Sequence, residues 1–141
     1  MDTTNTDREK YDALCGYTLA HRDPAFVHQH VVDAYVAQRA TEHTKAIQLA
    51  FSLVGLYLHV ERRFTGRQVQ RAHMQLARRE RAFPSIVVPA GRGSVDVADV
   101  MAAAAGPERD AAIDAWCAAV WDAYRENGPA VIEYLRRNGV F

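Results

Sequence analysis

Two histidines and an aspartate lie among apolar residues in the segment that runs from Asp23 to Tyr35. The segment reads DPAFVHQHVVDAY and contains His28, His30 and Asp33. A buried imidazole or carboxylate needs hydrogen-bond partners, because leaving one unsatisfied costs about 1–3 kcal/mol. The segment therefore predicts either a satisfied structural network or a binding site, and the residues alone leave both open.

The spacing of these residues limits what they can do together. His28 and His30 are two positions apart, roughly 200° around a helix axis, so they cannot both bind one metal ion from a regular helix. His30 and Asp33 are three positions apart, a spacing at which an aspartate can hydrogen-bond a histidine and fix its tautomer. His28 shares a helix face with Val32 and Tyr35. The same spacings arise on ordinary polar faces, so a structural role stays open for each histidine.

A polar stripe follows one side of the most apolar predicted helix. Gln48, Ser52, Gly55 and His59 recur at intervals of four, three and four residues, which aligns them at about 100° per residue. One interpretation is that the stripe faces solvent. The other is that it faces the helix containing His28 and lines an internal pocket, with Gly55 allowing a helix or ligand to approach closely.

The metal-binding signal is a loose set of donor residues, since the HExxH, CxxC and ExxH spacings are all absent. Three or four donors from different helices can still converge on a divalent ion such as Zn²⁺. Cys15 and His21 are further donors whose place in the site is left undecided, and His43 and His73 are expected at the surface. The candidate residues are His28, Asp33 and His59 for acid–base chemistry, Gln48, Ser52 and Tyr35 for ligand binding, and His28, His30, His59 and Asp33 for a metal.

Helix start and stop signals recur along the chain, and no segment alternates polar and apolar residues over the length of a strand. Pro and Gly residues in segment 82–95 predict an extended crossover. Helices are expected from Asp23-Pro24 to about Arg39, from Thr41 or Thr44 to about Arg63, from the Thr65/Gln68 capping box to about Arg81, from Asp96/Asp99 to Ala105, from Gly106-Pro107 to about Asn127, and from Pro129 to Asn138.

The fold class that follows is all-α. We expect a single domain over residues 1–141, a compact bundle of five to six helices around the apolar central helix that contains Ile47 to Val60. Residues 1–22 are expected to be partly irregular, because Gly16 weakens a first helix that begins near Thr6. Core residues should form a stripe on the helix after Gly106, and its Cys117 should be an inert core thiol. The stripe comprises Ile113, Trp116, Cys117, Val120, Trp121 and Tyr124.

Composition narrows the function classes. The formal net charge is zero, which gives no bulk attraction to nucleic acid or to acidic membranes. Segment 61–81 contains seven arginines and only two glutamates, whereas the C-terminal third is acidic. Pairing of the two regions, within the molecule or between subunits of a homodimer, would balance these charges. Binding of nucleic acid is therefore not expected. No apolar run is long enough for a membrane span, and two distant cysteines without a secretory signal favour the cytoplasm.

Four segments together resemble a bacterial family known only as a domain of unknown function. They read DPAFVHQHVVDAYVAQ, GLYLHVERRFTGRQVQRAH, GSVDVADV and GPERDAAIDAWCAAVWDAY. The resemblance covers the chain from about Cys15 to Tyr124. It implies a helical fold and supplies no established activity.

The resemblance also bears on individual residues. Relatives carry a histidine at the position of His28, and some carry one where this chain has Ser52. Many begin with a CxxC-like segment, of which only Cys15-Gly16 is present here. That departure argues against an N-terminal zinc site in this chain.

Two functional hypotheses follow, and neither names a reaction or decides whether the protein is an enzyme. In the first, a polar site between the helix of His28 and the central helix binds a metal ion or a small polar molecule, with His28 and His59 as ligands or acid–base groups and Asp33 orienting one of them. In the second, the protein is a non-catalytic interaction or accessory protein that self-associates and whose histidines are structural. Convergence of the histidines on a pocket would favour the first.

Overall fold

The computed structural model describes residues 3–20, 23–79 and 82–140. Within these ranges the chain forms seven α-helices and no strand, so the predicted all-α class is confirmed, with slightly more helices than the five to six expected. His21 lies outside the described residues, as does the predicted helix end at Arg81. The elements are α1 (Thr3–Ala20), α2 (His28–Gln38), α3 (Ala46–Arg62), α4 (Gly66–Ala77), α5 (Val97–Ala102), α6 (Pro107–Ala123), a 3₁₀ turn (Arg125–Asn127) and α7 (Gly128–Arg137).

Helix α3 is the most apolar element, and it packs against α2, α4, α6 and α7. Leu53, Val54 and Leu56 lie on different sides of the helix and are all fully buried. A helix that is apolar around most of its circumference must be covered by other helices. The predicted stripe on α6, which ends at the following residue Tyr124, also belongs to the core, and its six members are all buried.

Helix α2 begins four residues later than the Asp23-Pro24 signal predicts. The carboxylate of Asp23 accepts hydrogen bonds from the backbone N–H groups of Ala25 and Val27, but these bonds close a turn instead of capping a helix. Phe26 follows with φ of 58°, and a left-handed residue interrupts a right-handed helix. Residues 23–27 therefore form a compact loop that ends directly before His28, the first residue of α2.

Helix α1 is longer than predicted and runs through Gly16. Leu14 is fully buried, and the ring of Tyr11 stacks on that of Tyr35 in α2 at a centroid distance of 3.8 Å. The burial of these side chains outweighs the modest helix penalty of one glycine.

Two capping boxes and the crossover match the sequence-based expectations. Thr65 with Gln68 opens α4, and Asp96 with Asp99 opens α5. The described residues of segment 82–95 form neither helix nor strand, and the side chain of Asn127 holds this segment through both the N–H and the carbonyl of Val87. Helix α4 ends at Ala77, earlier than predicted.

Membrane insertion was not expected from the sequence. Among the described residues, no helix combines the length and the apolar character that crossing a bilayer requires.

Candidate functional site

The centre of the candidate site is a stack of two histidine rings, His30 from α2 and His59 from α3. Their centroids are 3.5 Å apart and the ring planes differ by 18°. His30 is 3% exposed, whereas the side chain of His59 is 19% exposed. The stack therefore runs from the α2–α3 interface out toward solvent.

Both ring nitrogens of His59 face hydrogen-bond acceptors. Nδ1 lies 3.1 Å from the carbonyl oxygen of Phe64, and Nε2 lies 3.0 Å from Oδ1 of Asp114 on α6. A ring that donates from both nitrogens carries two protons and a positive charge. The hydrogen bond from His59 lowers the pKa of the Asp114 carboxyl below its usual value. The two residues thus form an ion pair at the edge of the core.

His30 is held in the neutral form. Burial, and then the positive charge of His59 beside it, lower its pKa to about 3. Its Nδ1 is buried and has no hydrogen-bond partner in the described part of the chain. A buried polar atom without a partner is unusual in a folded protein, and such an atom is either strained or is satisfied by water or by a ligand.

The stack forms part of the wall of an open groove with a volume of about 430 Å³. Half of its lining residues are apolar, and the others are the two histidines, one arginine, one threonine and one aspartate. A neighbouring cavity of about 500 Å³ shares the residues Ala25, Val27 and Asp114 with it, so the loop 23–27 separates two adjoining depressions. We call the first one the histidine groove; it is lined by His30, His59, Val60, Arg63, Phe64 and Asp114, together with Ala25, Val27, Thr65 and Ala118.

The sequence profile of DUF5946 matches residues 5–125, which is most of the chain. The protein belongs to this family, a family of unknown function. The match confirms the resemblance seen in the sequence and begins earlier than Cys15. No curated protein and no solved structure matches the chain.

In this DUF5946 protein, His28 does not meet His59 as expected. Its Nδ1 lies 3.0 Å from the hydroxyl oxygen of Thr18 on α1, and burial lowers its pKa. Because successive side chains diverge around a helix, α2 points His28 toward α1 and His30 toward α3. The residue that pairs with His59 is therefore His30.

Asp33 is buried at the α2–α3 contact and orients none of the histidines. Its Oδ1 accepts a hydrogen bond from the side chain of Gln29 at 3.2 Å, and its Oδ2 has no partner among the described residues. Burial raises the pKa of Asp33 well above its usual value. The expected hydrogen bond between His30 and Asp33 is absent, and Asp33 faces Gly55 instead: a Cβ at position 55 would lie 1.9 Å from Oδ2.

The polar stripe of α3 divides into two halves. Gly55 and His59 face α2, as the second interpretation of the stripe proposed, while Gln48 is exposed. The Ser52 hydroxyl is buried and donates to the carbonyl of Leu49 on its own helix. Gln48 and Ser52 therefore lie outside the histidine groove.

Two other sequence-based assignments change in the structure, and one holds. Tyr35 stacks on Tyr11 and lines a separate cavity with Arg39 and Asp7, so it is not part of the histidine groove. His73, expected at the surface, is partly buried and its Nε2 bonds to the carbonyl oxygen of Phe51. His43 is exposed, as expected.

The metal set predicted from the sequence does not converge. Residues 3–20, 23–79 and 82–140 contain no group of three or more His, Cys, Asp or Glu side chains arranged to hold a metal ion. His28, His30 and Asp33 point to α1, α3 and Gly55 respectively. Cys15 is a partly buried free thiol and Cys117 a buried one; the Cys117 thiol donates to the carbonyl of His30.

Within the described residues, the structure gives little support for pairing of the two charged regions inside the molecule. Arg71, Arg78 and Arg79 of the basic segment form no ion pair with the described residues, and they surround a shallow groove beside the exposed Met74. One ion pair between the two regions has the opposite polarity, with Glu61 accepting from Arg125 at 3.0 Å. Pairing within the described chain therefore does not balance these arginines.

Sequence reasoning missed Asp114 as a partner of His59, since it appeared only as one acid of the C-terminal third. The two are 55 residues apart and meet only because α3 packs on α6. Asp114 is on the same helix as the core stripe that begins at Ile113, which placed it near the core without indicating its partner.

Proposed function

We propose that this small helical protein binds a small polar molecule in the histidine groove. The observation that carries the proposal is the state of His30: a buried, neutral imidazole beside an open groove, stacked on a charged ring, with Nδ1 unsatisfied. Binding sites of this kind combine apolar walls with a few polar groups that fix the orientation of the ligand. Nδ1 itself has almost no accessible surface, so a ligand group that hydrogen-bonds it must displace neighbouring side chains, and that bond would offset the desolvation of the ring.

The geometry favours binding over proton transfer. A general base works best with a pKa near the working pH, and the pKa of His30 is lowered to about 3. The protons of His59 are already donated to Phe64 and Asp114. The acid–base roles that the sequence suggested for His28, Asp33 and His59 are therefore less well supported than a role in recognition.

The geometry also favours an organic ligand over a metal ion. A metal lies close to the ring plane of a coordinating imidazole, because the nitrogen lone pair lies in that plane. The rings of His30 and His59 are stacked, with centroids 3.5 Å apart and planes that differ by only 18°, so one ion cannot lie close to both ring planes at their nitrogens.

The test is to replace His30 with Phe and to follow the histidine rings by NMR. Phe keeps the stack on His59 and the apolar volume but removes both nitrogens. We screen a library of small polar compounds against ¹⁵N-labelled protein and expect hits that shift the ring signals of His30 and His59. The same hits should bind His30→Phe at least tenfold more weakly, the loss of about one hydrogen bond in free energy.

The control variant is His43→Phe, since His43 is exposed and lies away from the groove. It should bind every hit as the wild type does. Hits that bind His30→Phe and the wild type equally well, or that shift only signals outside the groove, would contradict the proposal.

We propose self-association as a second candidate function. The observation that favours it is the set of arginines around Met74, which have no ion pair in the described part of the chain and which carry part of the excess positive charge of segment 61–81. A second copy presents exposed acidic residues on α6, such as Glu108 and Asp122. Sedimentation equilibrium at low and at high salt tests this, and a monomer under both conditions would contradict it.

A further inference from the structure

We infer that the histidine groove binds a small organic anion, whose charged group contacts Arg63 and whose apolar body packs against Val60 and Phe64. This inference rests on the proposed function and specifies the class of ligand. It is carried by the charges, the backbone geometry and the walls of the groove.

Among the described residues, the groove contains one cation without an ion-pair partner. His59 and Asp114 form an ion pair at 3.0 Å, so their charges largely cancel. His30 is neutral. Arg63 also lines the groove and forms no ion pair or side-chain hydrogen bond with the described residues. A guanidinium group matches a carboxylate or phosphate through two parallel hydrogen bonds.

The backbone holds Arg63 at the groove in a conformation that arginine seldom adopts. It is the residue after the end of α3, with φ of 56° and ψ of 34°. Glycine or asparagine is usual at a helix end of this kind. Its N–H bonds to the carbonyl of His59, and the next residue, Phe64, bonds through its N–H to Leu58. The sequence thus places a long cationic side chain where the backbone alone would favour glycine.

The walls of the groove indicate that the anion has an apolar body. Val27, Val60, Phe64 and Ala118 line it, and apolar contact with them would contribute to binding. The His30 ring lies in the same wall. A fully hydrated inorganic ion would use Arg63 but would leave these surfaces uncovered.

The test uses three ligands of nearly the same shape: benzoate, benzamide and benzamidine, which are anionic, neutral and cationic at neutral pH. Each is titrated into ¹⁵N-labelled protein, and the ring signals of His30 and His59 are followed. We expect benzoate to bind most tightly and benzamidine most weakly. Arg63→Gln should weaken the binding of benzoate about ten- to a hundredfold, as expected for a lost charge-assisted hydrogen bond. The same variant should leave the affinity for benzamide unchanged.

Three further variants make the result specific. Arg63→Lys should restore part of the affinity for benzoate, because it keeps the charge but loses the bidentate geometry. Arg63→Gly suits the left-handed backbone and removes the side chain, so it replaces Arg63→Gln if that variant folds poorly. Arg71→Gln removes an arginine that lies away from the groove, and it should bind benzoate as the wild type does.

The outcomes separate this inference from the function on which it rests. Equal binding of benzoate and benzamide, both unaffected by Arg63→Gln, would overturn the anion inference and leave the groove as a binding site. If none of the three ligands shifts the histidine rings, the inference is overturned together with its site. If Arg63→Gln and Arg71→Gln lose the same amount of affinity for benzoate, the effect is one of net charge alone, and the inference is also overturned.

Discussion

Two ionisable residues of α2 are buried in their neutral forms, one turn apart. Burial lowers the pKa of His30 to about 3 and raises that of Asp33. The physical cause is the same in both, since a charge is costly to remove from water whatever its sign. The consequences for stability are opposite: the neutral His30 disfavours folding at acid pH, and the protonated Asp33 disfavours it as the pH rises.

The first prediction at the residue scale concerns Asp33→Asn. The folded wild type keeps a proton on Asp33 that the unfolded chain releases above a pH of about 3.9. The stabilising contribution of this group is therefore complete below that pH and is lost as the pH rises toward the raised folded pKa. Asparagine does not titrate, so the stability of the variant relative to wild type should increase with pH, by at most about 1.4 kcal/mol per pH unit.

Urea unfolding of both proteins between about pH 5 and pH 7 measures this difference. Asp12→Asn provides the control, because it removes a carboxylate that is exposed on α1 instead of a buried one. A stability difference between Asp33→Asn and wild type that is constant across the range would show that Asp33 is ionised in the folded protein.

At the scale of elements, the contact between α2 and α3 depends on a glycine. A Cβ at position 55 would lie 1.9 Å from Asp33 Oδ2 and 3.2 Å from a methyl group of Val69. A second glycine, Gly66, has the same role at the start of α4, where a Cβ would lie 1.7 Å from the carbonyl oxygen of Phe26. These two positions set how closely α2 and its preceding loop approach their neighbours, and hence where His30 meets His59.

We predict that Gly55→Ala destabilises the protein by about 1–3 kcal/mol or more, the usual cost of overpacking a core. Gly16→Ala is the matched control: Gly16 lies in α1, and a Cβ there meets nothing within 4 Å. It should stabilise the protein by about 0.5–1 kcal/mol, as expected in a helix interior. Urea denaturation of both variants checks the sign of each change in the free energy of unfolding.

The double variant Asp33→Ala, Gly55→Ala tests the cause of the destabilisation. If the clash with the Asp33 carboxyl is the reason, the double variant should be more stable than the sum of the two single changes predicts. Strict additivity of the two changes in the free energy of unfolding would mean that Gly55→Ala destabilises the protein for a reason other than this clash.

At the scale of the whole molecule, a net charge of zero conceals an uneven distribution. Arg71, Arg78 and Arg79 cluster at one groove without ion-pair partners in the described chain. Three such contacts to phosphates would give a dependence of log K on log salt with a slope of only about −3. The cluster is therefore too small for tight, nonspecific binding of nucleic acid.

We predict that duplex DNA binds no more tightly than about 1 μM at physiological salt, the upper end of ordinary nonspecific affinity. Fluorescence anisotropy over a salt series measures both the affinity and the slope. A variant with Arg71, Arg78 and Arg79 all changed to Gln is the control and should remove the residual binding. Submicromolar affinity with a slope much steeper than −3 would contradict the prediction and identify this protein as a nucleic-acid binder.

The sequence by itself determined the helical class, the central position of α3 and the core stripe of α6, because these depend on local periodicity and burial. It also determined the caps at Thr65 and Asp96, since a capping box is made by residues three positions apart. The resemblance in the sequence located the family. Each of these properties is encoded within a few helical turns.

Only the tertiary structure decided which polar residues meet. His30, not His28, pairs with His59, because the left-handed Phe26 delays the start of α2 and the packing of α2 on α3 sets the facing side. Asp114 and Arg63 reach the same groove from α6 and from the end of α3. A contact between residues on different helices depends on how the helices pack, and the spacing of residues within one helix does not contain that information.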